Sequence, residues 1–441
     1  MNTQLLYSES QTPTDLPPQH PPSRSSALTA KQMLACLAAS MALQMTSFVM
    51  ILPLFARRFS QFGAGVGDLG ISEMAYALTA TIAAPFMGAL SDRLGRRPIV
   101  LGSLAVYILT FTGYLLASSA SVFILLRGLA GALTAGMMPA AIGMVADLAP
   151  EDRRGQWIGI LSGGASFGWI AGPILGGLLY DTWGFAAAVL VSIGMAALAF
   201  TTALIGVRET RLRLAQQAVI SSQHITAVRP ANIKSTLQAI RATLPISLSP
   251  LSLVLFIYFA VMFAWAFMEP RFMFYAYDDL RWNSSMLGMV MSTYGVAMML
   301  GEFGLSRLSD TLGRKPVIIA GLVLFSAQFI GLALSRNYIL IAVTFVIAGL
   351  GNALFDPALS ASILDIAPSE YQARILGLKS TFGSLGNIAG PALVVLFTSL
   401  LPAQGIFMMA AGTVIVTMVI AVAAHSKSKV YRTSQRSNAT G

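Results

Sequence analysis

Long apolar runs separated by short polar loops make up most of the chain. Twelve runs of about 20 mostly apolar residues can be drawn, which is the length that a helix needs to cross a bilayer. In the first half they cover 31–55, 72–90, 98–117, 121–147, 156–180 and 183–207, and in the second half 250–275, 284–306, 316–335, 338–366, 374–400 and 404–425. The pattern predicts an all-α integral membrane protein with 12 transmembrane helices.

The chain also contains an internal duplication. The loop at 88–98 (GALSDRLGRRP) returns at 306–316 (SRLSDTLGRKP), an offset of 218 residues. The same offset relates Asp147 to Asp365 and Gly172-Pro173 to Gly390-Pro391 without a gap. We therefore predict two pseudo-symmetric six-helix bundles, an arrangement typical of transporters whose halves rock about a shared central site.

The polar segments outside the runs set the predicted boundaries. Residues 1–30 are polar and rich in proline, which predicts a disordered tail without a cleavable signal peptide. Residues 31–207 and 250–425 would form the two bundles, and 208–249 would link them, with room for a basic helix on the membrane surface. Residues 426–441 would form a second tail.

Composition and charge narrow the class further. Hydrophobic residues make up 56% of the chain and charged residues only 10%, which excludes an ordinary soluble domain. The net charge of +10 is spread over short loops, so we expect no nucleic-acid partner. The single cysteine, Cys36, excludes an intramolecular disulfide and cysteine-based metal sites.

The distribution of basic residues predicts the orientation. With both termini on the cytoplasmic side, inner loops and tails hold 22 of the 28 lysines and arginines, outer loops hold four, and Arg127 and Arg271 fall within spans. Because positive loops face the cytoplasm, we expect both termini there, in a bacterial cytoplasmic (inner) membrane.

Three motifs stand out within this framework. The first is the duplicated inner loop, with candidate gating residues Gly88, Asp92, Arg93, Gly95, Arg96, Arg97, Asp310, Gly313, Arg314 and Lys315. The second is Arg127, which lies roughly 9 Å inside the outer end of the fourth span. An arginine at that depth has either a functional partner or a path along which its side chain reaches the outer interface. The third is the fifth-span series Gly168, Gly172, Pro173, Gly176 and Gly177, which allows close helix packing.

Through these motifs the sequence resembles the major facilitator superfamily, and within it the twelve-span drug:proton antiporters. The resemblance implies that Asp92 contacts the start of the eleventh span near 374–377 and latches the outward-facing state, and that Asp310 plays the mirror role near 155–159. It implies a role in proton transfer for Arg127, although the family's usual glutamine three residues later is Ala130 here. It also implies that the fifth span packs against a partner in the second half. The basic loop residues are equally well explained as plain inner-side anchors.

Acidic residues inside spans are candidates for proton coupling, because burial favours the neutral form of a carboxyl group. Asp356, Glu302 and Glu269 are identified, all in the second half, and the first span offers only Gln44 as a strong polar group. Each acid also has a structural explanation. Glu269 would pair with Arg271, Asp356 would cap the break at Pro357, and Glu302 would bond a neighbouring helix.

The leading hypothesis is a proton-coupled exporter of small amphipathic molecules such as drugs, working as a monomer in the lipid bilayer. The alternative is an uptake symporter or facilitator for a small polar metabolite. The sequence supports no enzyme, since it lacks a paired histidine motif and a phosphate-binding loop. We expect no cofactor and no metal, with the proton gradient as the energy source.

Overall fold

A computed structural model describes residues 24–210, 248–305, 308–366 and 372–438. Within these ranges the chain is helical apart from short connections and contains no strand. Most of the predicted amino-terminal tail, most of the linker in which a surface helix was considered, and the last three residues lie outside the described ranges. We call the membrane end that carries the loops around Asp92 and Asp310 the inner end, and the opposite one the outer end.

The first half contains the predicted six spans. The first is Arg24–Ile51, which begins seven residues earlier than predicted and continues through a 3-10 turn, Leu52–Leu54, into Phe55–Gln61. The second and third are Val66–Leu94 and Arg96–Leu116, and the fourth consists of Ala120–Thr134 and Met137–Leu148. Arg154–Gly206 holds the fifth and sixth spans, which are separated at Gly184, where φ is 82°.

The second half repeats this order. Its spans are Leu248–Phe274 with a π-helical turn at Tyr275–Asp279, Ser284–Leu305, Arg314–Leu334, Tyr338–Ile366, Gln372–Phe397 and Ala403–Asn438, and a short helix, Leu308–Thr311, follows the eighth. In the described part of the chain, 11 helices are long and apolar enough to cross a membrane. The break at Gly184 divides one of them, so the twelve predicted spans are present.

Glycine faces bring two helices together in each half. A Cβ atom on Gly168 would lie 2.6 Å from Met45, and one on Gly172 would lie 2.9 Å from the Met50 nitrogen, so the fifth span packs directly on the first. Gly386 and Gly390, at the same positions of the second half, pack on the seventh span. Gly168, Gly172 and Gly176 contact the first span of their own half, whereas Pro173 and Gly177 make the contact with a second-half span that the resemblance implies.

The two halves touch at the outer end. Gly177 abuts Ser284, Pro173 abuts Gly288, and the hydroxyl of Ser292 donates to the Ile170 carbonyl at 2.7 Å. On the other side of the interface, the second span contacts the eleventh through Gly70.

The inner ends are separated. Gly88, Gly159, Gly304 and Gly377 lie on the inner halves of the second, fifth, eighth and eleventh spans, and no described atom of another helix lies within 4 Å of their Cβ positions. The molecule is thus closed outside and open inside.

Candidate functional site

A cavity of about 530 Å³ lies where the halves face each other. The second and fourth spans supply Glu73 and Arg127 to its wall, and the seventh span supplies Glu269. The remaining lining is aromatic, small or uncharged polar, and includes Phe48, Tyr76, Thr81, Trp169, Met262, Trp265, Ser384 and Asn387. The charged lining residues in the described part of the chain are therefore two carboxylates and one guanidinium.

Arg127 is completely buried, because Ala120–Thr134 points it into the bundle rather than toward the outer surface. It forms an ion pair with Glu73 from the second span. Its guanidinium carbon also lies 4.4 Å from the centroid of the Tyr76 ring and 5.2 Å from that of Phe55, which suits a delocalised cation. The alternative that Arg127 reaches to the outer interface is wrong.

Glu73 is a functional candidate that the sequence analysis missed. The second span was predicted to begin at Ser72, which would have left Glu73 at the membrane surface. The helix begins at Val66, six residues earlier, and carries Glu73 into the cavity. The expectation that all buried acids belong to the second half is therefore wrong. The signal in the sequence was a carboxylate near the start of the second span, which could pair with the arginine of the fourth span in the same half.

Glu269 lies one residue before Pro270 in the seventh span and faces the same cavity. Its charged neighbours are Glu73 and Arg127, so a single guanidinium lies near two carboxylates from opposite halves. The proposed pairing of Glu269 with Arg271 is wrong, because the Arg271 guanidinium lies 3.8 Å from Asp279 instead.

Asp356 belongs to a second charged group in the inner half of the molecule. The Lys379 ammonium lies 2.5 Å from an Asp356 carboxylate oxygen, donates to the Ser360 hydroxyl at 2.7 Å, and lies 4.3 Å from the centre of the Tyr258 ring. Lys379 lies within the predicted eleventh span, 374–400, although the charge count places it on the inner side, and it is only 7% exposed. Asp356 therefore forms an ion pair rather than only capping the break at Pro357.

Two further predicted cavity residues lie elsewhere. Gln44 is completely buried within the first half, its side-chain atoms have no hydrogen-bond partner among the described residues, and it does not line the cavity. Glu302 is exposed near the inner end of the eighth span and is likewise absent from the lining. The structure therefore brings together Glu269 and Arg127 of the predicted set.

The duplicated loops make matching ion pairs. Arg96 lies 2.5 Å from Asp147, and Arg314 lies 3.0 Å from Asp365, so each of these aspartates pairs with the arginine of its own half's inner loop. Gly95 and Gly313 adopt φ values of 101° and 89°, which favour glycine, and each precedes the next span directly. The other loop residues Arg93 and Lys315 lie beside these pairs in sequence.

Neither implied latch is engaged in this open-inside state. Asp92 is exposed and makes no ion pair among the described residues, and Asp310 pairs with Arg314 of its own loop. The positions near Gly155 and Gly159, which Asp310 was expected to approach, face open space. The absence of both contacts agrees with the separation of the inner ends.

A different contact closes the outer end. Asp181, between the fifth and sixth spans, accepts hydrogen bonds from the backbone nitrogens of Ser284 at 3.0 Å and Ser285 at 2.7 Å, and from the Ser285 hydroxyl at 2.7 Å. A carboxylate of the first half thus caps the amino terminus of the eighth span. Beside it, Arg57 donates to the Trp282 carbonyl at 3.2 Å.

Twelve spans in two related halves, joined at one end around a charged cavity, define the architecture of a secondary transporter. The Major Facilitator Superfamily model matches the chain over residues 34–277 and again over 251–440. The protein therefore belongs to the major facilitator superfamily, a family of transporters rather than enzymes, and is a multi-pass membrane protein.

Relatives and solved structures agree with this assignment. The multidrug resistance protein MdtG of Klebsiella pneumoniae (strain 342) is 26% identical over 84% of this chain and 87% of its own length. A multi-drug resistance efflux pump PmrA homologue of Lactococcus lactis is 25% identical over 78% and 83%.

Among solved structures, a POT family transporter in complex with 5-aminolevulinic acid superimposes with a TM-score of 0.70 at 14% identity, covering 89% of this chain and 96% of that one. A bacterial homologue of the human lysosomal transporter Spinster, in an inward-facing unoccupied conformation, gives 0.67 at 17% identity over 90% and 95%. These two structures share the fold.

Proposed function

We propose that the protein exports amphipathic organic cations in exchange for protons, and that Glu73, Arg127 and Glu269 form the site where the two compete. The observation that carries the proposal is the charge balance of the cavity. Arg127 can neutralise one of the two carboxylates, so the other must hold a proton or a cation whenever water is excluded.

This balance produces antiport by a simple rule. A carboxylate that has bound a proton no longer attracts a cation, and a carboxylate that has bound a cation no longer takes up a proton. Because the cavity would be exposed to one side of the membrane at a time, a proton entering from outside displaces the cation there, and the cation displaces the proton inside. Glu269 is the residue we assign to this exchange, since Arg127 already pairs with Glu73.

The names of the relatives support export rather than uptake, because two proteins similar over most of the chain are named for multidrug resistance. The bacterial origin of those relatives supports a cytoplasmic membrane. The surplus of basic residues on the inner loops supports cytoplasmic termini. We further propose that the protein acts as a monomer, since each chain has a complete cavity between its own halves.

Inside-out membrane vesicles acidified by respiration test the proposal. Adding ethidium to vesicles that contain the protein should release lumenal protons, measured by recovery of a quenched pH-sensitive dye, and should concentrate ethidium in the lumen. Glu269→Gln should abolish both signals. Asp278→Asn, an exposed carboxylate at the outer end of the same span, should leave them unchanged and is the matched control.

Three outcomes would contradict the proposal. Ethidium accumulation that survives collapse of the proton gradient would remove the coupling. Proton-coupled exchange by Glu269→Gln at the wild-type rate would remove the assigned residue. Vesicles in which a polar metabolite and protons leave together would favour the uptake alternative.

A further inference from the structure

A second cavity of about 240 Å³ opens beside the charged one. The two share Trp169, Met262 and Trp265 as a common wall, so a molecule bound in one can extend into the other. Apart from Trp169, the lining of the second cavity comes from the seventh to tenth spans of the second half. We name it the side pocket.

The side pocket is the second-half counterpart of the charged site. On the second span, Glu73, Tyr76, Ala77 and Ala80 line the charged cavity, and residues 218 positions later on the eighth span line the side pocket: Met291, Tyr294, Gly295 and Met298. The two helices therefore present the same face to the centre of the molecule. The duplication has kept the place and changed the chemistry.

The change replaces charge by polarisable apolar groups. Met291 stands where the first half has Glu73, and Phe345 stands where it has Arg127. The described lining of the side pocket carries no charged side chain, but it includes Met298 and Phe325. Thioethers and aromatic edges make favourable contacts with flat ring systems.

One polar pair lies within this apolar wall. Asn352 donates from its amide nitrogen to the Tyr294 hydroxyl at 2.6 Å, and the ring of Tyr294 lies 5.3 Å from that of Trp265. Because the Tyr294 oxygen accepts from Asn352, its own proton is available to a carbonyl or ring-nitrogen acceptor on a ligand. The pocket therefore suits an aromatic group that carries one acceptor.

We propose that the side pocket binds the aromatic rings of the transported molecule while its positively charged nitrogen lies toward Glu269. This inference rests on the proposed function and adds its substrate class, an organic cation with a fused ring system. The volume allows it, since a cavity of about 150 Å³ is enough for benzene. The charged cavity would then select the positive charge, and the side pocket would select the ring.

Two cations separate the side pocket from the charged site. Ethidium carries a fused aromatic system, whereas dodecyltrimethylammonium carries only an alkyl chain. Met298→Trp fills the side pocket and should raise the KM for ethidium by about tenfold, the effect of losing one buried ring contact. Its KM for dodecyltrimethylammonium should stay within about twofold of the wild type, because the charged site is unchanged.

Two matched variants accompany it. Val296→Trp changes the same helix on its exposed side and should alter neither KM. Ala80→Trp occupies the equivalent first-half position in the wall of the charged cavity, and should impair both cations together.

A smaller substitution gives an independent measurement that does not require a bulky side chain. In a Cys36→Ser background, Met298→Cys should react with a small methanethiosulfonate reagent, and ethidium should slow this reaction while dodecyltrimethylammonium should not. Val296→Cys should be unprotected by either.

The results distinguish the two proposals. Equal effects of Met298→Trp on both cations, or no protection of Met298→Cys by ethidium, would overturn the side pocket while leaving proton-coupled export intact. A wild-type protein that exchanges neither cation for protons would instead overturn the proposed function. Selective loss of ethidium transport together with selective protection supports the side pocket.

Discussion

Replacing Asp181 by asparagine should loosen the contact that closes the outer end of the molecule. In the described structure Asp181 accepts three hydrogen bonds, from the Ser284 nitrogen and from the Ser285 nitrogen and hydroxyl. These bonds connect the first half to the second and must break when the outer end opens. The eighth span also has a cap of its own, because Asn283 accepts from the Met286 nitrogen at 2.8 Å. Removing Asp181 should therefore leave the helix intact.

The size of the effect follows from helix capping. Losing a capping side chain costs about 1–2 kcal/mol, and the asparagine would keep one acceptor. Because Asp181 is exposed, its negative charge adds little to this value. A change of that size corresponds to roughly a 5- to 30-fold increase in the ratio of outward-open to inward-open protein. Asp181→Ala should lie at the upper end of this range.

Spin-label distance measurements can detect such a shift. In a Cys36→Ser background, labels at residues 118 and 336 report on the outer end, and labels at Leu94 and Leu312, both 61% exposed, report on the inner end. Asp181→Asn should lengthen the outer distance and shorten the inner one. The control is Asp68→Asn, since Asp68 accepts from the Gly65 nitrogen at 3.0 Å within the first half only. Unchanged distance distributions for Asp181→Ala would refute the assigned role.

The same contact predicts a pH response. Asp181 lies at the outer end, outside the membrane. Partial burial raises its pKa, but the hydrogen bonds from Ser285 and Ser284 outweigh that effect and hold the pKa below its ordinary value. A lowered pKa means that the contact keeps its full strength above the ordinary value and weakens only as the pH falls through the lowered one. The difference between wild type and Asp181→Asn should therefore stay constant between about pH 5 and pH 8.

Two further substitutions test the packing inside the halves. Asp356→Asn should lower the free energy of unfolding by about 2 kcal/mol, because it leaves the Lys379 ammonium without its carboxylate. In a thermal denaturation assay, the double variant Asp356→Asn, Lys379→Met should recover most of that loss. Gly172→Leu should reduce the yield of folded protein by separating the first and fifth spans, as measured by size-exclusion chromatography, whereas Gly159→Leu should fold normally because that position faces open space.

The sequence predicted the fold well because its main signals are physical requirements of the membrane. Apolar runs long enough to span a bilayer must form helices, because no water satisfies their backbone there. The inner loops have glycine in both copies, at Gly95 and Gly313, where φ is 101° and 89°. Helix ends were less predictable. The second span extends to Val66 through polar residues such as Asp68, which caps its own helix, and a hydropathy pattern does not register such a turn.

The candidate site was only partly predictable, and helix ends explain part of the failure. Arg127 and Glu269 were found because charges deep in spans are rare, but Glu73 was assigned to a boundary that lay in the wrong place. Partners were harder still. Lys379 and Asp356 are 23 positions apart on neighbouring helices, and their pairing depends on how the tenth and eleventh spans are rotated. The direction in which the cavity opens also depends on tertiary contacts, which no local pattern contains.

The internal symmetry offers a criterion that separates scaffold from chemistry. Arg96–Asp147 and Arg314–Asp365 form the same ion pair in both halves, as expected if the inner loops serve the same purpose in each bundle. Inside the membrane the charges have no such counterparts, because Phe345 matches Arg127 at the same offset. A cavity that binds an amphipathic molecule needs charged groups at one place and an apolar wall at another, and two identical halves would not supply that contrast. Loss of symmetry within the spans is therefore what function requires, while symmetry in the loops is what the rocking motion requires.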